Sequence, residues 1–212
     1  MRNKKNIFYW LILGVIVVGG LYYWVSAQEK PLPERAFSNS QLLISPLPGW
    51  GIYSGPEEMP QGYNNFDRAV AFSKIRFMKP PAGVGPWSRA DVDNGLWEQV
   101  TDMTQSVVKF STRGDAREAY RTFNGFYTSV YIPPEGLEYK SPIADQFRIL
   151  CDSSLPQKGG IDCFLDAQYQ EFYIQVQYGG AYSDNRDNFI HDLKTISIAV
   201  DAQMEKYLGS DK

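Results

Sequence analysis

The chain is poor in the residues that carry most enzyme chemistry. It has one histidine, His191, and two cysteines, Cys151 and Cys163, among 212 residues. That falls short of the ligand set of a zinc site, and a catalytic dithiol would favour a C-x-x-C spacing. A Ser–His–acid site would have to use His191, which lies among Asn188, Asp192 and Lys194 and reads as a solvated helix position. There is no G-x-S-x-G, no phosphate-binding G-x-x-x-x-G-K-[ST], no G-x-G-x-x-G and no H-E-x-x-H. Asp91-Val92-Asp93-Asn94-Gly95 resembles a calcium loop only in part. Its glycine comes one position early and no Glu stands at the twelfth position, so it reads as the acidic first turn of a helix. No cofactor or metal is therefore expected. A carboxylate pair of the glycoside-hydrolase kind assembles only in three dimensions, and nothing singles out two of the 24 acids.

Basic runs are missing as well. The net charge is −3, and the only charges in residues 1–27 are Arg2, Lys4 and Lys5. Subtracting those three from the 21 basic residues leaves 18 against 24 acids, or −6, for the remainder. Nucleic acid is excluded as a partner on that balance.

What the sequence does have is one long uncharged run, Ile7–Val25. Nineteen residues at about 1.5 Å each reach about 28 Å, close to the hydrocarbon thickness of a bilayer. Tyr9 and Trp10 stand near one end and Tyr22, Tyr23 and Trp24 at the other, the places where aromatic rings settle at the two interfaces. A short basic arm precedes the run. The expected organisation is a cytoplasmic arm at 1–6, a retained transmembrane helix at 7–25 that contacts membrane lipid, a polar linker with two prolines at 26–36, and an extracytoplasmic domain at 37–212. The rival reading is a signal peptide cleaved after Ala27, since Val25-Ser26-Ala27 offers small residues. The run is long for such a peptide and ends in bulky rings. Both readings put the domain outside the cytoplasm. The absence of N-x-[ST] sequons agrees with a bacterial cytoplasmic membrane.

An even cysteine count suits an oxidising compartment. Segments 145–152 and 161–169 both alternate apolar and polar residues, with a turn-forming stretch between them. Antiparallel pairing with Cys151 opposite Cys163 sets Ile149 against Leu165 and Phe147 against Ala167. One register thus joins the cysteines and aligns the apolar side chains, so a Cys151–Cys163 disulfide is expected.

Further strands are expected at 50–53, 66–78, 105–111 and 170–178, with a weak one near 137–140. Helices are expected at about 89–103, 114–124 and 185–208, from apolar residues recurring every three or four positions. In segment 170–178, Phe172, Ile174, Val176 and Tyr178 should face the helices, while Glu171, Tyr173, Gln175 and Gln177 should be wet or meet a partner. The expected fold class is α+β, a largely antiparallel sheet with the helices on one face. Residues 44–65 are rich in Pro, Gly and rings. Trp50, Tyr53, Tyr63, Trp87, Trp97 and Tyr173 are the candidate contact surface. The plainer alternative is that such rings pin long loops onto the sheet.

The stretches VVKFSTRGDAREAYRTF, ADQFRILC and CFLDAQYQEFYIQVQYGG, followed by a terminal amphipathic helix, span residues 105–208. Their layout resembles small sensor-type domains that bacteria tether outside the membrane by one helix, such as the ectodomain of mycobacterial Ser/Thr kinases and related lipoproteins. The family's second disulfide has no counterpart here. The resemblance implies ligand or partner binding without catalysis. The expected function is a membrane-anchored, non-enzymatic binding or interaction domain. The alternatives are an accessory single-pass subunit that packs on a membrane-protein partner, and an envelope hydrolase.

Overall fold

Strand formation in the C-terminal half follows directly from period-2 alternation between cysteine-, tyrosine- and isoleucine-bearing positions. The structure is a computed structural model. It describes residue 17, residue 32, and residues 35–59, 66, 68–80, 100–123, 130–153, 160–181 and 186–209. The chain divides into two units, Met1–Pro31 and Leu32–Lys212. In the first, Val17 alone is described, so the expected membrane helix at 7–25 lies outside the described residues otherwise. Among the described residues no helix is long and apolar enough to cross a membrane.

Among the described residues the second unit forms a seven-stranded antiparallel sheet with two α-helices, an α+β fold. Its strands are β1 (Gly51–Met59), β2 (Ala69–Lys79), β3 (Thr101–Phe110), β4 (Tyr131–Ile132), β5 (Gln146–Asp152), β6 (Gly160–Tyr169) and β7 (Phe172–Ala181). Helix α1 spans Arg113–Phe123 and α2 spans Arg186–Leu208. The order across the sheet is β1-β2-β3-β7-β6-β5-β4. After β3 the chain forms α1, reaches the far edge at β4, and walks back to place β7 beside β3.

Several local signals set the element ends. Thr112 caps α1, its hydroxyl accepting from the Asp115 amide at 3.0 Å. Gly209, with φ +69°, follows α2, and its amide donates to Glu205 O at 2.9 Å. Gln170 takes a positive φ of 54° to close the tight β6–β7 hairpin, so the last strand starts at Phe172 and not at 170. The expected strand near 137–140 does not form. Pro133 and Pro134 have no amide hydrogen to continue β4, and Leu137 packs on the core instead. Residues 101–103, expected to end a helix, are the start of β3; residues 89–99 of that helix lie outside the described set. Residue periodicity at Val100 and Met103 fits both elements, and pairing with β2 and β7 decides for strand.

The arrangement of the helices differs from the expectation of one covered face. Phe172, Ile174, Val176 and Tyr178 share a core with Leu193, Ile196, Val200 and Met204 of α2. Tyr173 belongs to a separate cluster with Val108, Phe110, and Ala116 and Ala119 of α1. Successive strand residues point to opposite sides, so α1 and α2 cover opposite faces. The physical reason is that the first half of β7 is apolar on both faces, with Phe172, Tyr173 and Ile174 all fully buried. Two alanines let α1 approach that second face closely.

The folded unit also begins earlier than expected. Leu32 N donates to Ser111 O at 3.1 Å. Arg35 Nε donates to Glu171 Oε1 at 2.8 Å, and its Nη2 to Glu171 Oε2 at 3.2 Å and to Gln170 Oε1. Phe37 then packs between the rings of Phe172 and Tyr207. The last residues of the expected linker are thus bound to the domain.

Candidate functional site

The face opposite α2 is built from alternate residues of all the long strands, and α1 covers only the half near the β6–β7 turn. Asp166 sits at the boundary between the covered and the open half. Its side chain is fully buried and meets Arg148 Nη2 at 2.8 Å and Nε at 2.9 Å. The Tyr173 hydroxyl donates to it at 2.6 Å and Gln175 Nε2 at 3.2 Å. Arg148 in turn lies 4.4 Å from the centre of the Tyr120 ring and donates to Tyr120 O at 3.3 Å. Burial raises the Tyr120 hydroxyl above its ordinary range; the Arg148 charge opposes that rise and the Asp166 charge adds to it. This network fastens α1 to the sheet.

Beyond Asp166 the face opens around Gln177 and is closed again farther along, where Met78 and Val100 are buried together with Tyr53 packed against them. Gln175 is half-buried and Gln177 is exposed, at the middle of the sheet. Beside them stand Ser106 and Thr104 of β3 and Phe164 of β6, by strand register. Gln177 Nε2 donates to Asp162 Oδ1 at 3.4 Å, and the Tyr131 hydroxyl donates to Asp162 Oδ2 at 2.7 Å. Burial first, and the Asp162 hydrogen bond second, push the Tyr131 hydroxyl up. The Tyr131 and Phe164 rings lie 5.7 Å apart. On the opposite flank Arg76 Nη2 donates to Asp102 Oδ2 at 2.8 Å, and the guanidinium stands 5.4 Å from the centre of the Tyr53 ring. The result is a polar sheet surface with amides and hydroxyls in the middle and rings at both sides. Such a surface can hydrogen-bond and stack on a partner.

The expected contact residues are distributed unevenly over this face. Tyr53 is half-buried on its flank. Trp50 is 7% exposed; its ring packs on Tyr178 at 6.0 Å and lies under the Lys79 ammonium. It pins the loop to the core, as the plainer alternative had it. Tyr173 is 0% exposed and lines no surface, because α1 lies over it. Glu171, also expected to be wet, is buried against Arg35. Tyr63, Trp87 and Trp97 lie outside the described residues. Sequence reasoning missed Asp162, Phe164 and Tyr131. The usable signal was Phe164 between Asp162 and Asp166 on the face of β6 opposite Cys163 and Leu165.

Cys151 and Cys163 are bridged, in the register that the alternation predicts: Cys151 opposite Cys163, Ile149 opposite Leu165, Phe147 opposite Ala167. On the α2 side, Asp201 accepts from Tyr169 at 2.5 Å, from Ser141 at 2.7 Å and from Tyr139. Burial drives the Tyr169 hydroxyl well above its ordinary range, and the Asp201 charge adds to it. Asp192 holds Lys79 at 2.7 Å. These carboxylates are structural partners too. His191 is exposed on α2. Among the described residues no group of three or more His, Cys, Asp or Glu could hold a metal ion.

No protein-family model matches the chain. No curated protein matches it either. Among solved structures it is similar to the extracellular domain of PknH from Mycobacterium tuberculosis, at 13% identity and a TM-score of 0.42 over 70% of each chain.

Proposed function

We propose that this chain is a membrane-anchored, extracytoplasmic domain that binds a partner and catalyses no reaction. The observation that carries the reading is the uncharged run Ile7–Val25 directly behind an acid-free basic arm. The Cys151–Cys163 bridge supports an oxidising location for the domain. The exposed part of the sheet around Gln177, Asp162 and Phe164 supports binding, since it offers an amide, a carboxylate and rings on one surface.

Topology is the direct test. Protease added to intact cells stripped of their outer membrane should digest the domain, while a tag ahead of Met1 survives. A soluble mature form starting at Gln28 would overturn the anchor. Sizing of the mild-detergent extract then separates two forms of the reading. A chain that runs alone is a free binding domain, and one that runs within a large assembly is an accessory subunit.

A further inference from the structure

The geometry points to the outer edge of β5 as a docking site for an extended strand of another protein, which completes the sheet beside Gln146–Leu150. This inference does not rest on the membrane anchor.

Strand β5 is seven residues long and β4 only two. Tyr131 and Ile132 pair with Asp152 and Cys151. Pairing stops there, since Pro133 and Pro134 bring no amide hydrogen. Among the described residues, Gln146–Leu150 has no strand on that side. The ladder fixes which backbone groups are left over. The Cα atoms of Cys151 and Cys163 are 4.0 Å apart, the close spacing of an antiparallel pair that exchanges no hydrogen bonds. The amide and carbonyl of Cys151 therefore point away from β6, toward β4. Those of Ile149 and Phe147, two and four residues back, point the same way. Among the described residues no hydrogen bond reaches Ile149 or Phe147 from that side.

The opposite edge of the sheet is guarded. Strand β1 shifts register against β2 twice, carries Pro56, and exposes Glu57 and Glu58. Bulges, proline and charge all discourage edge pairing. Strand β5 has none of these devices. Its register with β6 is unbroken from Gln146 to Cys151, it holds no Pro or Gly, and Arg148 lies on the sheet face, bonded to Asp166. A bare ladder of amides and carbonyls is complementary to another backbone.

A second copy fits the slot poorly. With two β5 strands antiparallel over residues 146–150, Arg148 would face Arg148, and Ile132 of each copy would occupy the place of the other's Asp145. The occupant is therefore a foreign five-residue segment in line with β4. Its second and fourth residues lie on the α2 face beside Ile149, which is buried in the core, and Phe147, whose ring meets Tyr139 at 5.5 Å. Those two are apolar and not proline. The other three stand on the face of Leu150, Arg148 and Gln146 and are polar.

The probe is a capped Lys-Thr-Val-Thr-Val-Thr-Lys peptide at millimolar concentration, with the full-length chain in mild detergent. Residue-resolved hydrogen–deuterium exchange is the readout. Without peptide, the Ile149 and Phe147 amides should exchange faster than those of Leu150 and Arg148, which donate to β6. With peptide, Ile149 and Phe147 should slow by about tenfold or more. The same peptide N-methylated at both valines should have no effect. No slowing, equal slowing by the methylated peptide, or amides already protected in a monomeric chain overturns the inference. A dimer whose Ile149 and Phe147 amides are protected without peptide overturns it in favour of a second copy.

Discussion

Tyr173 shows how a single side chain escapes a pattern argument. Its neighbours Glu171 and Gln175 are polar, so alternation assigns the whole set to a wet face. In the structure its ring is buried under α1 and its hydroxyl donates to the buried Asp166 at 2.6 Å. Tyr173→Phe keeps the ring and removes that donor, and should cost about 1–3 kcal/mol in denaturant unfolding. Tyr173→Ala opens a cavity as well and should cost about 3–5 kcal/mol, similar to Ile174→Ala on the other face at about 2–5 kcal/mol. Gln177→Ala, at the open end of the same row, should change stability by no more than about 0.5 kcal/mol. A Tyr173→Ala protein as stable as Gln177→Ala would refute the two-sided burial of β7.

Paired strands were legible where two independent signals coincided. For β5 and β6 the cysteines and the apolar alternation demand the same register, and the structure has it. The helices at 114–124 and 185–208 were legible because their apolar spacing is local, and Thr112 and Gly209 end them by cap chemistry that is local too. The short β4 and the start of β3 were not, because strand pairing depends on residues distant in sequence. The bridge staples β5 to β6 across a sequence separation of 12. Replacing both cysteines by alanine should lower stability by about 2–3 kcal/mol, read from thermal or denaturant melts without reductant. If dithiothreitol leaves the wild-type melt unchanged, the bridge contributes nothing to the fold.

At the scale of the whole domain, tyrosines set its response to alkali. Burial, as the leading cause, raises the hydroxyls of Tyr120, Tyr131, Tyr139, Tyr169 and Tyr178 above their ordinary 10.0. A raised value means that the folded chain holds its proton more tightly than the unfolded chain. The stability this contributes is fully present below pH 10, and it drains away as pH rises past that point toward the folded values. Melting temperature should therefore be flat with respect to these groups up to about pH 9 and should fall above about pH 10. Tyr169→Phe should make that fall shallower. Ultraviolet absorbance should show the tyrosinate of these five residues appearing together with unfolding. Tyrosinate that forms fully at pH 10 in a folded protein would contradict the burial of these rings.

Sequence alone determined what depends on neighbours along the chain. That covers the uncharged run and its basic arm, the period-2 strands, the periodic helices at 114–124 and 185–208 and the pairing of Cys151 with Cys163. These follow from spacing, charge and backbone geometry, which act over a few residues. Tertiary structure alone decided that α1 and α2 cover opposite faces, that Arg35 reaches back to Glu171, and that Asp166 is buried while Gln177 stays open. Each of those depends on which segment comes to lie over a strand. A polar residue reads the same along the chain whether a helix covers it or water does.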